Sequence, residues 1–113
     1  GYDYVDPILE LGAHVAPTGL AFYDGEMFPK KYKNNIFITL HGSWNRSKKV
    51  GYKVIRVVLD GEGDVVDIKD FISGWLDGGT VLGRPAAPLI ISDGSLLISD
   101  DKANVIYRIT YKQ

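Results

Sequence analysis

An internal repeat constrains the fold of this 113-residue chain more than any other feature of its sequence. Each copy contains a proline, a short apolar run, an Asp-Gly pair, a second apolar run and a third run with a central arginine. At the proline and the Asp-Gly pair the two copies are offset by 68–69 residues, which suits one unit of several strands with its loops. The aligned segments are VAPTGLAFYDG (15–25) with GRPAAPLIISDG (83–94), NNIFITLHG (34–42) with SLLISDD (95–101), and GYKVIRVVLD (51–60) with ANVIYRITY (103–111).

Short β-branched and aromatic runs bounded by turn residues predict an all-β chain. No segment has the i, i+3, i+4 apolar spacing of an amphipathic helix over more than about one turn. The stretch 74–88 is too rich in glycine and proline to hold a regular helix. The predicted strands are Gly19–Tyr23, Ile36–Leu40, Tyr52–Leu59, Val65–Ile72, Leu89–Ile91, Ser95–Ser99 and Val105–Tyr111.

Repetition of meandering strands favours a β-propeller, whose blades are four-stranded antiparallel sheets. We predict that residues 12–75 form one blade and 83–113 most of the next, while 3–11 supply a stray strand to a neighbouring blade. A closed ring needs about 4–8 blades. The chain is therefore predicted to be a single partial segment of a longer propeller, or a unit of which several copies form one ring. A small β-sandwich or barrel is the alternative.

Composition excludes several classes of function. The net charge is −1, so no strongly basic face for nucleic acid is expected. No apolar stretch approaches the roughly 20 residues of a membrane helix. The chain has no cysteine, which excludes disulfides, thiolate metal sites and cysteine nucleophiles. The first residues also lack the basic start and apolar run of a signal peptide.

One connection between predicted strands is far longer than a two-residue turn. The stretch LHGSWNRSKKVGYK (40–53) holds His41, Trp44, Asn45 and Arg46 between two apolar runs. Loops on a rigid scaffold commonly carry binding residues. Trp44 is predicted to be a stacking platform for a ligand or a buried anchor of the loop. Trp75, in contrast, is predicted to belong to the core, and Asp93, Asp100 and Asp101 to structural turns.

Several motifs together resemble the C-terminal part of the glucose/sorbosone dehydrogenase family. They extend over about residues 8–111 and comprise ELGAHVAPTGLAFY, FITLHGSWNRSKKVGYKVIRV, GWLDGG, GRP and SDGSLLISDDKANVIYRIT. Members are oxidoreductases that depend on pyrroloquinoline quinone (PQQ) and have a six-bladed propeller. The resemblance therefore implies an all-β fold of about two four-stranded antiparallel blades of such a propeller.

The resemblance also implies a cofactor site at the channel mouth of the propeller. Arg84, in the GRP motif, matches an arginine that contacts PQQ in the family. His41 stands where better-studied members have a lysine, and the same loop brings Asn45 and Arg46 as further cofactor-binding candidates. Trp44 would then contact the substrate, a sugar or an aldehyde. Where relatives continue with a second arginine and an aspartate after the first arginine, this sequence has Ala86 and Ala87.

The family's catalytic histidine and calcium ligands lie in regions that this sequence does not match. The chain is therefore expected to supply residues of the cofactor rim, without a catalytic residue or a metal ligand, and to be inactive alone. Calcium would bind elsewhere in the parent protein, which is expected to be periplasmic or extracellular. The alternative function is an oligomeric carbohydrate-binding propeller module without enzymatic activity, assembled by self-association through open blade edges.

Overall fold

The structure is a computed structural model that describes residues 9, 11, 16–42, 51–77 and 80–112. The predicted all-β class is confirmed, because the described part of the chain contains strands and one short 3-10 helix, Lys30–Tyr32. The strands are β1 (Pro17–Phe22), β2 (Ile36–Leu40), β3 (Lys53–Leu59), β4 (Val65–Ile72), β5 (Leu76–Asp77), β6 (Thr80–Val81), β7 (Pro85–Ile90), β8 (Leu96–Asp100) and β9 (Val105–Ile109).

The strands form two main antiparallel sheets. The first sheet has the order β1-β2-β3-β4 and the second sheet has the order β7-β8-β9, with the small hairpin β5-β6 between them along the chain. Both are simple meanders, in which each strand pairs with the one that follows it. The connections β3–β4, β7–β8 and β8–β9 are short loops of four or five residues, whereas those over 23–35 and 41–52 are longer.

The two sheets repeat each other in register. In the first sheet Pro17 pairs with Leu40 and a bulge follows before Gly19. In the second sheet Pro85 pairs with Asp100 and a bulge follows before Ala87. The sequence repeat is therefore a structural repeat, and residues in the two sheets can be matched one to one.

The main hydrophobic core lies where the first sheet packs against the second. Phe71 of β4 adds to it, with its ring centroid 4.6 Å from that of Phe37. A second buried cluster covers the opposite face of the first sheet, and Leu9 and Leu11 pack against it. The buried members of the main core are Tyr23, Phe28, Phe37, Tyr52, Val54, Trp75, Leu96 and Ile98.

Hydrogen bonds fix the two sheets to each other. The Tyr23 hydroxyl donates to the carbonyl of Gly94 at 2.8 Å and accepts from the backbone N–H of Phe28 at 2.9 Å. Thr39, on β2, donates to the carbonyl of Ala86, on β7, at 3.1 Å. These contacts join β1 and β2 to the second sheet, and the relative position of the sheets is thereby set by buried polar contacts as well as by packing.

Four predicted strands have bounds shifted by one or two residues in β1, β3, β8 and β9, and two features differ more from the sequence prediction. Strand β7 begins at Pro85, four residues earlier than the predicted Leu89, although two prolines lie within it. Proline is tolerated there because β7 is an edge strand, paired only with β8 among the described residues. The hairpin β5-β6 was not predicted, and its two-residue strands are too short to produce a periodic pattern.

The N-terminal strand predicted at 3–11 lies outside the described residues except for positions 9 and 11. Among the residues that the structure covers, no helix has the length and apolar character needed to cross a membrane.

Candidate functional site

Three polar side chains from both sheets meet at the end where β2 and β8 finish. The Nε2 atom of His41 lies 2.8 Å from one carboxylate oxygen of Asp101 and 3.0 Å from the other. The Nε atom of Arg84 lies 3.4 Å from Asp101 Oδ1. Two of the predicted site residues, His41 and Arg84, are therefore brought together, and both contact the same carboxylate.

The backbone positions these side chains in the same way in both sheets. His41 follows β2, and its N–H donates to the carbonyl of Ala16, just before β1, at 2.8 Å. Asp101 follows β8, and its N–H donates to the carbonyl of Arg84, just before β7, at 3.3 Å. His41 and Asp101 are thus equivalent positions of the repeat, as are Ala16 and Arg84.

The GRP motif explains how Arg84 is held. A side chain at Gly83 would overlap the Asp100 carboxylate and would lie 2.6 Å from Cδ1 of Trp75. Pro85 is fully buried. The backbone of Arg84 is thus held between Gly83, where there is no room for a side chain, and Pro85, whose ring fixes its φ angle.

The guanidinium of Arg84 is only partly satisfied. Its Nε atom is buried and makes no hydrogen bond among the described residues, although it lies within ion-pair distance of Asp101. The contact is thus electrostatic and lacks hydrogen-bond geometry. The side chain as a whole is about two-fifths exposed, so a ligand can reach its remaining nitrogen atoms.

Directly beneath this cluster lies a buried carboxylate, Asp100, which is 2 % exposed. Its Oδ1 atom accepts hydrogen bonds from the backbone N–H groups of Arg84, Lys102 and Ala103 at 2.9–3.0 Å. Its Oδ2 atom accepts from the Tyr107 hydroxyl at 3.1 Å. Burial alone would raise the pKa of Asp100, but these hydrogen bonds outweigh it and lower the pKa below the usual value.

The other predicted residues have separate outcomes. Trp44, Asn45 and Arg46 lie outside the described residues, so their roles stay predictions. Trp75 is confirmed as a core residue, 7 % exposed. Asp93 has a structural role in its turn, because its carboxylate accepts hydrogen bonds from the backbone and the hydroxyl of Ser95.

Asp101 is the residue of this cluster that sequence reasoning did not select as a site residue. It was predicted to be a structural turn residue together with Asp100, and only Asp100 has its carboxylate committed to the turn. The repeat alignment could have indicated Asp101 as a site residue, because it places Asp101 at the position equivalent to His41, after the second strand of each copy.

The fold is similar to that of two solved structures. A calcium structure of the family AA12 enzyme of Trichoderma reesei matches 91% of this chain with a TM-score of 0.71 and 23% identity. The holo form of the PQQ domain of pyranose dehydrogenase from Coprinopsis cinerea matches 95% with a TM-score of 0.69 and 26% identity. These neighbours are PQQ β-propeller domains, which confirms the predicted partial propeller.

Sequence relatives agree with this. An uncharacterized protein of Borreliella burgdorferi is 44% identical over 97% of this chain. The PQQ-dependent pyranose dehydrogenase of Coprinopsis cinerea is 42% identical over 47% of it. The chain spans about 30% of the first protein's length, 6% of the second's, and 26–29% of the two solved chains.

The sequence profile of the TrAA12-like family matches residues 2–71. The resemblance to PQQ-dependent sugar dehydrogenases is thereby confirmed, and the chain resembles a fragment of the propeller domain of such an enzyme. Because the profile covers more than half of the sequence, this chain belongs to the TrAA12-like family.

Proposed function

We propose that this chain is part of the propeller of a PQQ-dependent sugar dehydrogenase and contributes His41 and Arg84 to the rim of the cofactor site. The observation that carries the proposal is the convergence of these two side chains from different sheets on Asp101. Two sheets that follow each other around a propeller bring equivalent strand ends together at one end of the channel, where a cofactor could span them.

The chemistry of the cluster fits a carboxylate-bearing cofactor. Arg84 has a buried Nε atom without a hydrogen bond in the described structure, and its guanidinium offers further donors in a fork that suits carboxylates. With His41 neutral, the charges of Arg84 and Asp101 cancel. Arg46 of the adjacent loop would add the positive charge that a multiply charged anion requires. When bound, PQQ would supply a quinone that accepts two electrons.

The finer features of the proposal come from the family resemblance. The substrate would be a sugar or an aldehyde, with Trp44 beside it and Asn45 near the cofactor. The parent enzyme would act in the periplasm or outside the cell, and calcium would bind to residues elsewhere in it. The chain alone is expected to bind the cofactor weakly and to lack catalytic activity, since its proposed residues bind and orient without a catalytic base.

Titration of the chain with PQQ, followed by absorbance, tests the cofactor assignment. We expect saturable binding that weakens about tenfold or more in Arg84→Gln, because a charge-assisted hydrogen bond contributes roughly 1.5–3 kcal/mol. Lys69→Gln is the matched control, since Lys69 is an exposed cation on the outer strand β4. If neither the chain nor the full-length parent binds PQQ at high micromolar concentration, the assignment fails.

A second candidate function, an oligomeric carbohydrate-binding ring, has one observation in its favour. The free edge and outer face of the second sheet are apolar: Ile106 on β9 is 69% exposed, whereas its repeat equivalent Val54 is fully buried. Beside β9, a cavity of about 520 Å³ is lined by apolar side chains that include Trp75, Leu82 and Ile109. A neighbouring blade would cover these surfaces.

The mass of the chain in solution tests this second candidate. Three copies of a two-blade unit close a six-bladed ring, so a trimer supports it, and a monomer or a symmetric dimer excludes it. Ile106→Lys should dissociate such a trimer. Val66→Lys is the matched control, because Val66 is similarly exposed, at 60%, but lies on the outer strand β4.

A further inference from the structure

We infer that Asp101 is a positioning residue, which fixes the tautomer of His41 and the guanidinium of Arg84 across the boundary between the two sheets. The inference deepens the proposed function and rests on it for the identity of the ligand. Asp101 is an exposed residue, and its side chain is not needed to hold its own turn.

The contact with His41 dictates the tautomer. Both carboxylate oxygens of Asp101 lie within 3.0 Å of the same ring nitrogen, Nε2. A carboxylate only accepts hydrogen bonds, so the proton of the neutral imidazole must sit on Nε2. The other ring nitrogen, Nδ1, then carries the lone pair. Asp101 therefore determines that neutral His41 presents a hydrogen-bond acceptor at Nδ1, so that the ligand group it meets there must be a donor such as an O–H or N–H group and not a carboxylate.

The position of Asp101 is itself set by rigid backbone. Its N–H donates to the carbonyl of Arg84, and the preceding residue, Asp100, binds the backbone N–H groups of Lys102 and Ala103 on the other side of it. The turn that carries Asp101 is thus held by three hydrogen bonds that do not involve the Asp101 side chain. The carboxylate is pre-placed and needs little ordering to meet His41.

The contact with Arg84 uses the same carboxylate. The Nε atom of Arg84 faces Asp101 Oδ1 at ion-pair distance, and the guanidinium carries two further nitrogens that can form a fork toward a ligand carboxylate. Asp101 thus attracts the Nε edge of the long Arg84 side chain electrostatically. It joins a histidine of the first sheet to an arginine of the second.

The repeat supports a specific role for this aspartate. His41 and Asp101 follow the second strands of equivalent sheets, so the pair depends on complementary residues at one repeat position. Two histidines or two aspartates there could not form it. A purely structural bridge is a weaker explanation, because half of the Asp101 side chain is exposed and exposed ion pairs contribute little to stability.

Nitrogen-15 NMR of the histidine side chains tests the inference without any ligand. The chain has two histidines, His14 and His41, and His14→Gln assigns the signals. At a pH where both rings are neutral, we expect His41 to be protonated on Nε2 and to show a downfield Nε2–H proton. Asp101→Asn, which keeps an acceptor oxygen, should retain this proton signal, and Asp101→Ala should lose it by exchange with water.

Asp67→Asn, a change at an exposed carboxylate of β4, is the control and should leave the His41 signals unchanged. Far-ultraviolet circular dichroism checks that each variant is folded. If Asp101→Ala does not fold, the signals of wild type and Asp101→Asn still decide the test. An Asp101→Ala protein that is folded and retains the Nε2–H signal overturns the inference, as does a wild-type ring protonated on Nδ1.

A PQQ titration of the same proteins separates this inference from the proposed function. Both Asp101 variants lose the same negative charge beside Arg84, so the two variants are compared with each other: we expect Asp101→Ala to bind PQQ at least fivefold more weakly than Asp101→Asn, which keeps an acceptor oxygen for His41. Equal affinity of the two variants would overturn a positioning role toward the cofactor. If none of the three proteins binds PQQ, the proposed function fails, while the NMR result still decides whether Asp101 fixes His41.

Discussion

Replacement of the buried carboxylate Asp100 should have the largest effect on stability among the polar changes near the candidate site. Asp100→Ala removes the acceptor of four hydrogen bonds. All four hydrogen bonds are partly buried, although Lys102, Ala103 and Tyr107 are themselves exposed residues, so water can replace the carboxylate only in part.

The expected cost follows from these four hydrogen bonds. Each contributes about 0.5–1.5 kcal/mol to stability, so the four together contribute about 2–6 kcal/mol. That is a large share of the roughly 5–15 kcal/mol by which a domain of this size is stable. Asp100→Asn keeps an oxygen for the backbone N–H groups and an amide that can donate to Tyr107. It should therefore cost about 1–2 kcal/mol.

Urea unfolding followed by tryptophan fluorescence measures the difference. With a slope of about 1–2 kcal/mol/M, a loss of about 4 kcal/mol lowers the midpoint by about 2 M or more. Because hydrogen bonds lower the pKa of Asp100 in the folded state, its contribution is full above the unfolded-state pKa. It is lost as the pH falls through the folded-state value, so wild type and Asp100→Asn should converge in acid. If Asp100→Ala unfolds within about 1 kcal/mol of wild type at pH 7, this account of the turn is wrong.

Three further changes test other parts of the structure. Gly83→Ala should cost about 1–3 kcal/mol or more, because its methyl group would lie 2.6 Å from Trp75, whereas Gly61→Ala, with nothing within 4 Å, should be nearly neutral in the same unfolding assay. Thr39→Val should cost about 1–2 kcal/mol by removing the hydrogen bond between the sheets, and a cost no larger than that of an exposed threonine change would contradict it. Asp93→Asn should destabilise at neutral pH but not in acid: hydrogen bonds from Ser95 lower the pKa of Asp93, so its contribution disappears as the pH falls through that lowered value, and a pH-independent difference in urea midpoint would refute this.

Much of the fold could be predicted from the sequence because the strand signals are local. The run IFITL was predicted as Ile36–Leu40, and β2 has the same bounds. Strand β4 also has the predicted bounds, Val65–Ile72. Strand β7 was only partly predicted, because Pro85 interrupts the strand pattern in sequence, whereas in the described part of the structure β7 is an edge strand that pairs with β8 alone. Local propensity does not reveal which strands lie at an edge.

The candidate site was less predictable because its geometry is not local. His41 and Arg84 were selected by resemblance, and the structure brings them to one carboxylate. That carboxylate, Asp101, lies 60 residues from His41 in sequence, and the pair forms only because the second sheet packs on the first. The loop residues Trp44 to Arg46 lie outside the described residues, so their part in the site stays a prediction.

The hydrogen bonds of Tyr23 have a consequence for how the chain unfolds. Its hydroxyl fixes the second sheet to the first at the end where β1 finishes and β8 begins, while the partly buried hydrogen bond from Thr39 to the carbonyl of Ala86 joins the sheets near the opposite end. Neither sheet can swing open on the other without breaking contacts at one end or the other. We therefore expect the amide protons of both sheets to exchange with solvent through one shared opening event, so that the two sheets behave as one cooperative unit.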